Sequence, residues 1–202
     1  MRKVVAFLFL SLDGVMESPE NWTPQYGNDE LGREAKVGMD AADTLLFGRR
    51  TYEAFASYWP DKTAKDEPLF ADWLNNTPKL VASTTLRKVE WKNSTLIKGD
   101  VVEELKRLKQ RPGKNLNIIG SATLVRSLMR AEVLDELHLT IYPIIVGTGR
   151  RLFEDGVDQM PLRLLEAKTF GTGVLSLSYA PAGDEAGHAL GGPTQTEARR
   201  TQ

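Results

Sequence analysis

The sequence predicts an α/β fold: a mixed sheet, mostly parallel, with helices on both faces. Three observations carry that expectation. Short apolar runs alternate with segments of helical periodicity through the first two thirds of the chain. Three of those runs stop at a glycine or a hydroxyl (Gly48, Ser83 and Gly120), and a helical pattern starts directly after the first and the third. The last third closes as strand-rich sequence, with Leu162 to Phe170 and Val174 to Tyr179 flanking Gly171-Thr172-Gly173 as an antiparallel hairpin would.

Taken in order, Val4 to Leu12 is a continuous apolar run, as expected of a strand covered on both faces. The preceding Met1-Arg2-Lys3 mimics the charged start of a signal peptide, but the run meets Asp13 with no small-residue cleavage site, so a buried first strand is the better reading. Met16 to Asn28 is a loop whose Trp22 either lids a flat ligand or anchors the loop. Glu30 to Ala42 reads as a helix, with Leu31, Ala35 and Met39 on one side. Leu45-Leu46-Phe47 is a second strand, and the helix after Gly48 carries Tyr52, Phe55 and Trp59 inward. A short helix at Leu69 to Leu74 leads to a strand at Leu80-Val81-Ala82 and another at Thr95-Leu96-Ile97. Asp100, with Glu103 three residues on, caps a helix that Pro112-Gly113 ends. Ile118-Ile119 forms a strand that turns at Gly120 into a helix capped by Ser121, and Leu137 to Tyr142 forms a strand in which His138 is a paired or solvent-facing residue. One domain is expected over 1–180, with a disordered tail over 181–202.

Composition narrows the function. The chain has 202 residues, 26 basic and 27 acidic, and a net charge of −1, so no overall field favours nucleic acid or an anionic membrane. No cysteine and only two histidines, His138 and His188, remove thiolate chemistry and histidine-rich metal sites, and no metal is expected. Nothing approaches the ~20 apolar residues of a membrane span, and a cytoplasmic protein is expected.

The three strand ends form a constellation. In an open α/β sheet they share the carboxyl edge, where ligands bind. Phe47-Gly48-Arg49-Arg50-Thr51 brings planar cationic donors to a helix start. Ser83-Thr84-Thr85 offers three hydroxyls, and Ile119-Gly120-Ser121-Ala122-Thr123 aims free backbone N–H groups at a ligand. The set suits a dinucleotide with an extra phosphate: Arg49 with Ser83-Thr84 for the 2′-phosphate, Gly120 to Thr123 for the pyrophosphate. A Gly-x-Gly-x-x-Gly after the first strand is absent. Asp13, following Ser11 at the end of the first strand, or a water it orients, would supply or steer a proton, with Trp22 closing over the substrate ring.

These stretches, together with Ser11-Leu12-Asp13-Gly14 and Tyr142-Pro143-Ile144-Ile145-Val146-Gly147-Thr148-Gly149-Arg150-Arg151-Leu152-Phe153, stand in an order that resembles the dihydrofolate reductase superfamily, and within it the riboflavin-pathway reductase branch, over about residues 2 to 180. The resemblance implies a three-layer α/β/α sandwich, NADPH as hydride donor, a small heterocyclic substrate of pterin, dihydrofolate or aminopyrimidine type, and a homodimer. It places Gly48, Arg49 and Thr51 in the phosphate turn, Ser83 and Thr84 at the 2′-phosphate, Gly120 to Thr123 beside pyrophosphate and nicotinamide, and Asp13 near the substrate. Ser121 and Ala122 stand where the superfamily has further glycines, and Glu30 and Glu34 lie near its pterin-holding acidic residue. A nucleotide-binding module without turnover is the alternative.

Overall fold

The structure, a computed structural model, describes residues 1–154, 156 and 159–182. One eight-stranded sheet runs in the order β4-β3-β2-β5-β1-β6-β8-β7. The strands are β1 (Val4–Ser11), β2 (Ala42–Gly48), β3 (Lys79–Ala82), β4 (Ser94–Leu96), β5 (Asn115–Ile119), β6 (Glu136–Tyr142), β7 (Leu162–Thr169) and β8 (Leu175–Pro181). β1 to β6 run parallel to one another, and β8 pairs antiparallel with both β6 and β7. The mixed sheet with an antiparallel hairpin at its end is therefore as the sequence predicts. β8 reaches Pro181, one residue past the expected domain boundary, and the rest of the expected tail, residues 183–202, lies outside the described residues.

Strand periodicity divides the core into two layers. Val4, Ala6, Leu8 and Leu10 of β1 point to one face and pack with Leu116 and Ile118 of β5, Leu105 of α4 (Val101–Lys109) and Val125 and Leu128 of α5 (Ala122–Arg130). Leu45, Phe47 and Val81 point to the other face and pack with Tyr52 of α2 (Arg49–Tyr58), Leu74 of α3 (Ala71–Asn76) and Trp91. α1 (Asp29–Asp40) lies on that second face, where Gly38 presses on the Phe7 ring. Helices thus cover both faces of the parallel part, which makes the three layers.

Local chemistry sets the helix starts. Asn28 accepts the Leu31 N–H at 2.9 Å, and Asp100 accepts from Val102 and Glu103 at 2.7 and 3.2 Å, as its position in the sequence predicts. His138 is a paired strand residue: its ring lies 4.6 Å from Phe7, and its nitrogens meet Glu136 and Ser178 at 2.8 and 3.2 Å.

Chain direction matters most for the site. β2 continues through α2 toward β3, on one side, whereas β5 continues through α5 toward β6, on the other. β2 and β5 are neighbours, so the topological switch point lies between their carboxyl ends.

Candidate active site

Register assembles the rim residue by residue. β2 pairs with β3 through Gly48 and Ala82, which sets Ser83 level with Arg49. β2 pairs with β5 through Leu46 and Ile118, which sets Gly48 level with Gly120. β1 pairs with β5 through Phe7 and Ile119, and with β6 through Ser11 and Tyr142. Ser83, Gly48-Arg49, Gly120-Ser121, Ser11 and Tyr142 therefore follow one another along a single edge.

The two glycine junctions are latched together. Ser121 Oγ accepts the Gly48 N–H at 2.9 Å and donates to Thr51 Oγ1 at 2.8 Å. This corrects the expectation that Ser121 caps α5 with its side chain: at φ 64° and ψ 54° the residue is left-handed, and its hydroxyl turns away from the helix toward β2. Gly120 is left-handed as well, at φ 62°, and a Cβ there would come within 3.2 Å of Thr51 Cγ2. Behind the turns Phe47 and Ile119 pack into the core layer on one face and Ala122 into the layer on the other, and Phe47 and Ala122 are buried. Neither α2 nor α5 has a side-chain N-cap, so the first N–H groups of both helices face the switch-point crevice together with the positive ends of their dipoles.

The polar residues around that crevice are available in different degrees. Arg49 and Arg50 are exposed at the start of α2, and Arg49 has one loose partner, Glu53 at 3.7 Å. Ser83 is partly committed, since its Oγ accepts from the N–H groups of Thr85 and Leu86 at 3.2 and 3.0 Å. Thr84, Thr85 and Thr123 are exposed. The Tyr52 hydroxyl fixes the loop after β3 to α2 by accepting from Glu90 and Trp91 at 2.9 and 3.0 Å. This arrangement fits a phosphorylated dinucleotide: paired cations and hydroxyls at one end, uncapped helix starts at the other.

Asp13 lies at the far end of the rim and is fully engaged. Its carboxylate accepts from the Ser11 hydroxyl at 2.6 Å and from the N–H groups of Val146 and Gly147 at 3.0 and 2.9 Å, with Arg151 3.5 Å away. The Ser11 hydroxyl first, then the Val146 N–H, hold its carboxyl well below the usual carboxylate range. An ionised carboxylate has no proton to give near neutral pH, so direct donation by Asp13 does not fit. It pins the loop after β6, which is zipped to residues 12–16 by backbone bonds such as Leu12 N–H to Ile144 O at 2.8 Å and Met16 N–H to Arg150 O at 2.9 Å. A cleft of about 490 Å³ opens beside that loop, lined by Glu17, Gly149, Arg150, Arg151, Phe153 and Glu154, and none of its lining comes from β2 or β5.

Trp22 is 7% exposed, packs edge-on against Tyr142 at 5.5 Å between ring centroids, and donates Nε1–H to the Glu17 carbonyl at 3.1 Å. Of its two readings, anchor and lid, this geometry is the anchor. Glu30 accepts the Gly171 N–H at 3.2 Å and Glu34 pairs with Lys168 at 3.0 Å, so these two acidic residues of α1 hold the β7–β8 hairpin. Sequence reasoning passed over Phe9 and Tyr142. An aromatic within an apolar strand carries no mark of whether its helix layer covers it. Among the described residues no cluster of three or more possible metal ligands occurs, and no helix is long and apolar enough to cross a membrane.

The sequence model of the RibD C-terminal domain matches residues 2–176. Two uncharacterized Bacillus subtilis proteins are similar: YyaP, 26% identical over 88% of this chain and 94% of its own length, and YwjB, 29% identical over 90% and 99%. Among solved structures, a candidate riboflavin biosynthesis protein from Shewanella superposes with a TM-score of 0.70 at 21% identity, covering 89% of this chain and 98% of that one. A Thermotoga maritima diaminohydroxyphosphoribosylaminopyrimidine deaminase/5-amino-6-(5-phosphoribosylamino)uracil reductase gives 0.63 at 13%, covering 89% and 57%. A dihydrofolate reductase from Enterococcus faecalis complexed with NADP(H) gives 0.55 at 14%, covering 89% and 96%. These structural likenesses establish a dihydrofolate-reductase-like fold.

Proposed function

Because the chain belongs to the RibD C-terminal domain family, we propose that it is an NADPH-dependent reductase of a small heterocyclic compound with a C=N or C=O bond. The observation that carries this reading is the switch-point crevice, where two uncapped helix starts on neighbouring strands meet a latched left-handed turn and an exposed arginine pair. The fold likeness to a reductase solved with NADP(H) supports it.

In this reading Arg49 and Arg50, with Ser83 and Thr84 level with them, hold the 2′-phosphate and set the preference for NADPH over NADH. The backbone N–H groups of Gly120 to Thr123 hold the pyrophosphate. When bound, NADPH supplies the hydride. Asp13, ionised, orients the loop after β6 beside the substrate, and the proton comes from solvent. Arg49→Ala is expected to erase most of the preference between the two cofactors when each is titrated by nicotinamide fluorescence. A wild-type protein that binds neither cofactor would overturn the reading.

One observation favours a second reading, a nucleotide-binding module without turnover: Asp13, Glu30 and Glu34 are all committed to internal contacts. Tight NADPH binding without NADPH consumption across pterin, dihydrofolate and aminopyrimidine compounds would select it. A cytoplasmic location and pairing into a homodimer are part of the proposal, and sedimentation velocity of the purified chain tests the second.

A further inference from the structure

β1 lies inside the sheet, between β5 and β6, where both faces of a strand are normally covered. Leu8 and Leu10 on one face are 2% and 6% exposed, whereas Phe9 on the other is 39% exposed. Its neighbours along that face are covered: Phe7 lies beneath Gly38 of α1, where an added Cβ would come within 2.9 Å of the ring, and Ser11 is buried. The helix layer therefore opens over Phe9. Since Phe7 pairs with Ile119, Phe9 stands two residues further on, level with Ser121 and beside the Gly120 turn.

On its other side Phe9 meets Tyr142 edge-on, with ring centroids 5.5 Å apart. Tyr142 is 5% exposed, and its hydroxyl takes no hydrogen bond among the described residues. Around it, Trp22 Nε1 donates to Glu17 O and the Tyr26 hydroxyl donates to Pro143 O. The ring is buried, but its oxygen is not among the buried polar atoms left without a partner, so the hydroxyl stays open to solvent and to a ligand. Burial pushes its pKa up to about 12, so at working pH it is a donor. Glu30 and Glu34 of α1 both contact the hairpin, which leaves neither free to hold a protonated ring.

We propose that the hydride acceptor lies flat on Phe9, with the Tyr142 hydroxyl donating a hydrogen bond to the heteroatom of its C=N or C=O bond, and that this acceptor is an electrically neutral conjugated ring. The inference rests on the reductase reading of the rim and adds the place and charge of the second ligand. Phe9 supplies a stacking platform next to the turn assigned to the nicotinamide, and Tyr142 polarises the bond that receives the hydride.

The test uses two fluorescent pteridines of one shape, lumazine, which is neutral, and 2,4-diaminopteridine, which protonates readily, each titrated with and without saturating NADP+. Lumazine is expected to bind the wild type more tightly than the diamine. Phe9→Leu, which keeps an apolar side chain, should weaken lumazine about tenfold by loss of stacking. Tyr142→Phe should weaken it about three- to tenfold, the worth of one neutral hydrogen bond. Both variants should keep wild-type melting temperatures within a few degrees and bind NADPH within twofold of wild type. Equal lumazine affinity in wild type and both variants, tighter binding of the diamine, or no binding of either compound overturns the inference. Loss of NADPH binding by the wild type itself would strike the reductase reading, a separate result.

Discussion

Ser121→Ala tests the latch on which the rim depends. The substitution removes the acceptor of the Gly48 N–H and the donor to Thr51 Oγ1, at 2.9 and 2.8 Å, and leaves the left-handed backbone to a residue of similar size. At about 0.5–1.5 kcal/mol per neutral hydrogen bond, the loss is about 1–3 kcal/mol. For a chain of this length about 2–4 °C follows each kcal/mol, so the melting temperature should fall by about 2–12 °C. Differential scanning calorimetry reads it. The pairing is isolated by a double-mutant cycle with Thr51→Val, which should give a coupling of about 0.5–1.5 kcal/mol. NADPH affinity should fall in Ser121→Ala as well, because the turn loses its tie to β2. A variant that melts within 1 °C of the wild type (roughly the precision of the ~0.3 kcal/mol limit), with no coupling to Thr51, would show that the two junctions are held by something other than these hydroxyls.

Other expectations follow from particular residues. Gly120→Ala should cost about 1–2 kcal/mol for its left-handed backbone, with more from the approach to Thr51. Gly120→Asn should recover part of this, because Asn tolerates that conformation, and equal losses in urea unfolding would reject the backbone explanation. Lys79 is buried at 1% exposure, donates to the carbonyls of Thr77 and Lys92 at 2.8 and 3.1 Å, and sits 4.4 Å from the Trp91 ring centroid. Burial, then the charge of Lys92, bring its pKa from 10.5 down to about 8. Between those values the unfolded chain binds more protons than the folded one, so stability rises with pH, by up to about 3 kcal/mol. Relative to Lys79→Met, the wild-type urea midpoint should therefore climb between pH 8 and 10.5, and parallel curves for the two proteins would refute the assignment.

Much of the architecture was legible because it follows from local pattern. Apolar runs, caps such as Asp100 and the Gly171-Thr172-Gly173 turn report on residues close in the chain, and backbone hydrogen bonding turns those patterns into strands and helices. The same logic placed Gly48, Ser83 and Gly120 at strand ends. The role of Ser121 was not legible, because a hydroxyl before a helix reads as a cap, and only the approach of β2 to β5 offers it Gly48 and Thr51 instead. The partners of Asp13 were not legible for a related reason: the N–H groups that occupy it belong to Val146 and Gly147, far along the chain.

By itself, then, the sequence determined the element types, the strand–glycine–helix junctions and the resemblance that names the family. The tertiary structure decided the order of the strands, and with it the switch point between β2 and β5. It also decided which polar groups are spent inside the protein, as Asp13, Glu30 and Glu34 are, and that Phe9, though on an interior strand, is left uncovered. The physical reason is that pattern along a chain sets local conformation, whereas availability to a ligand depends on what packs against a side chain from elsewhere.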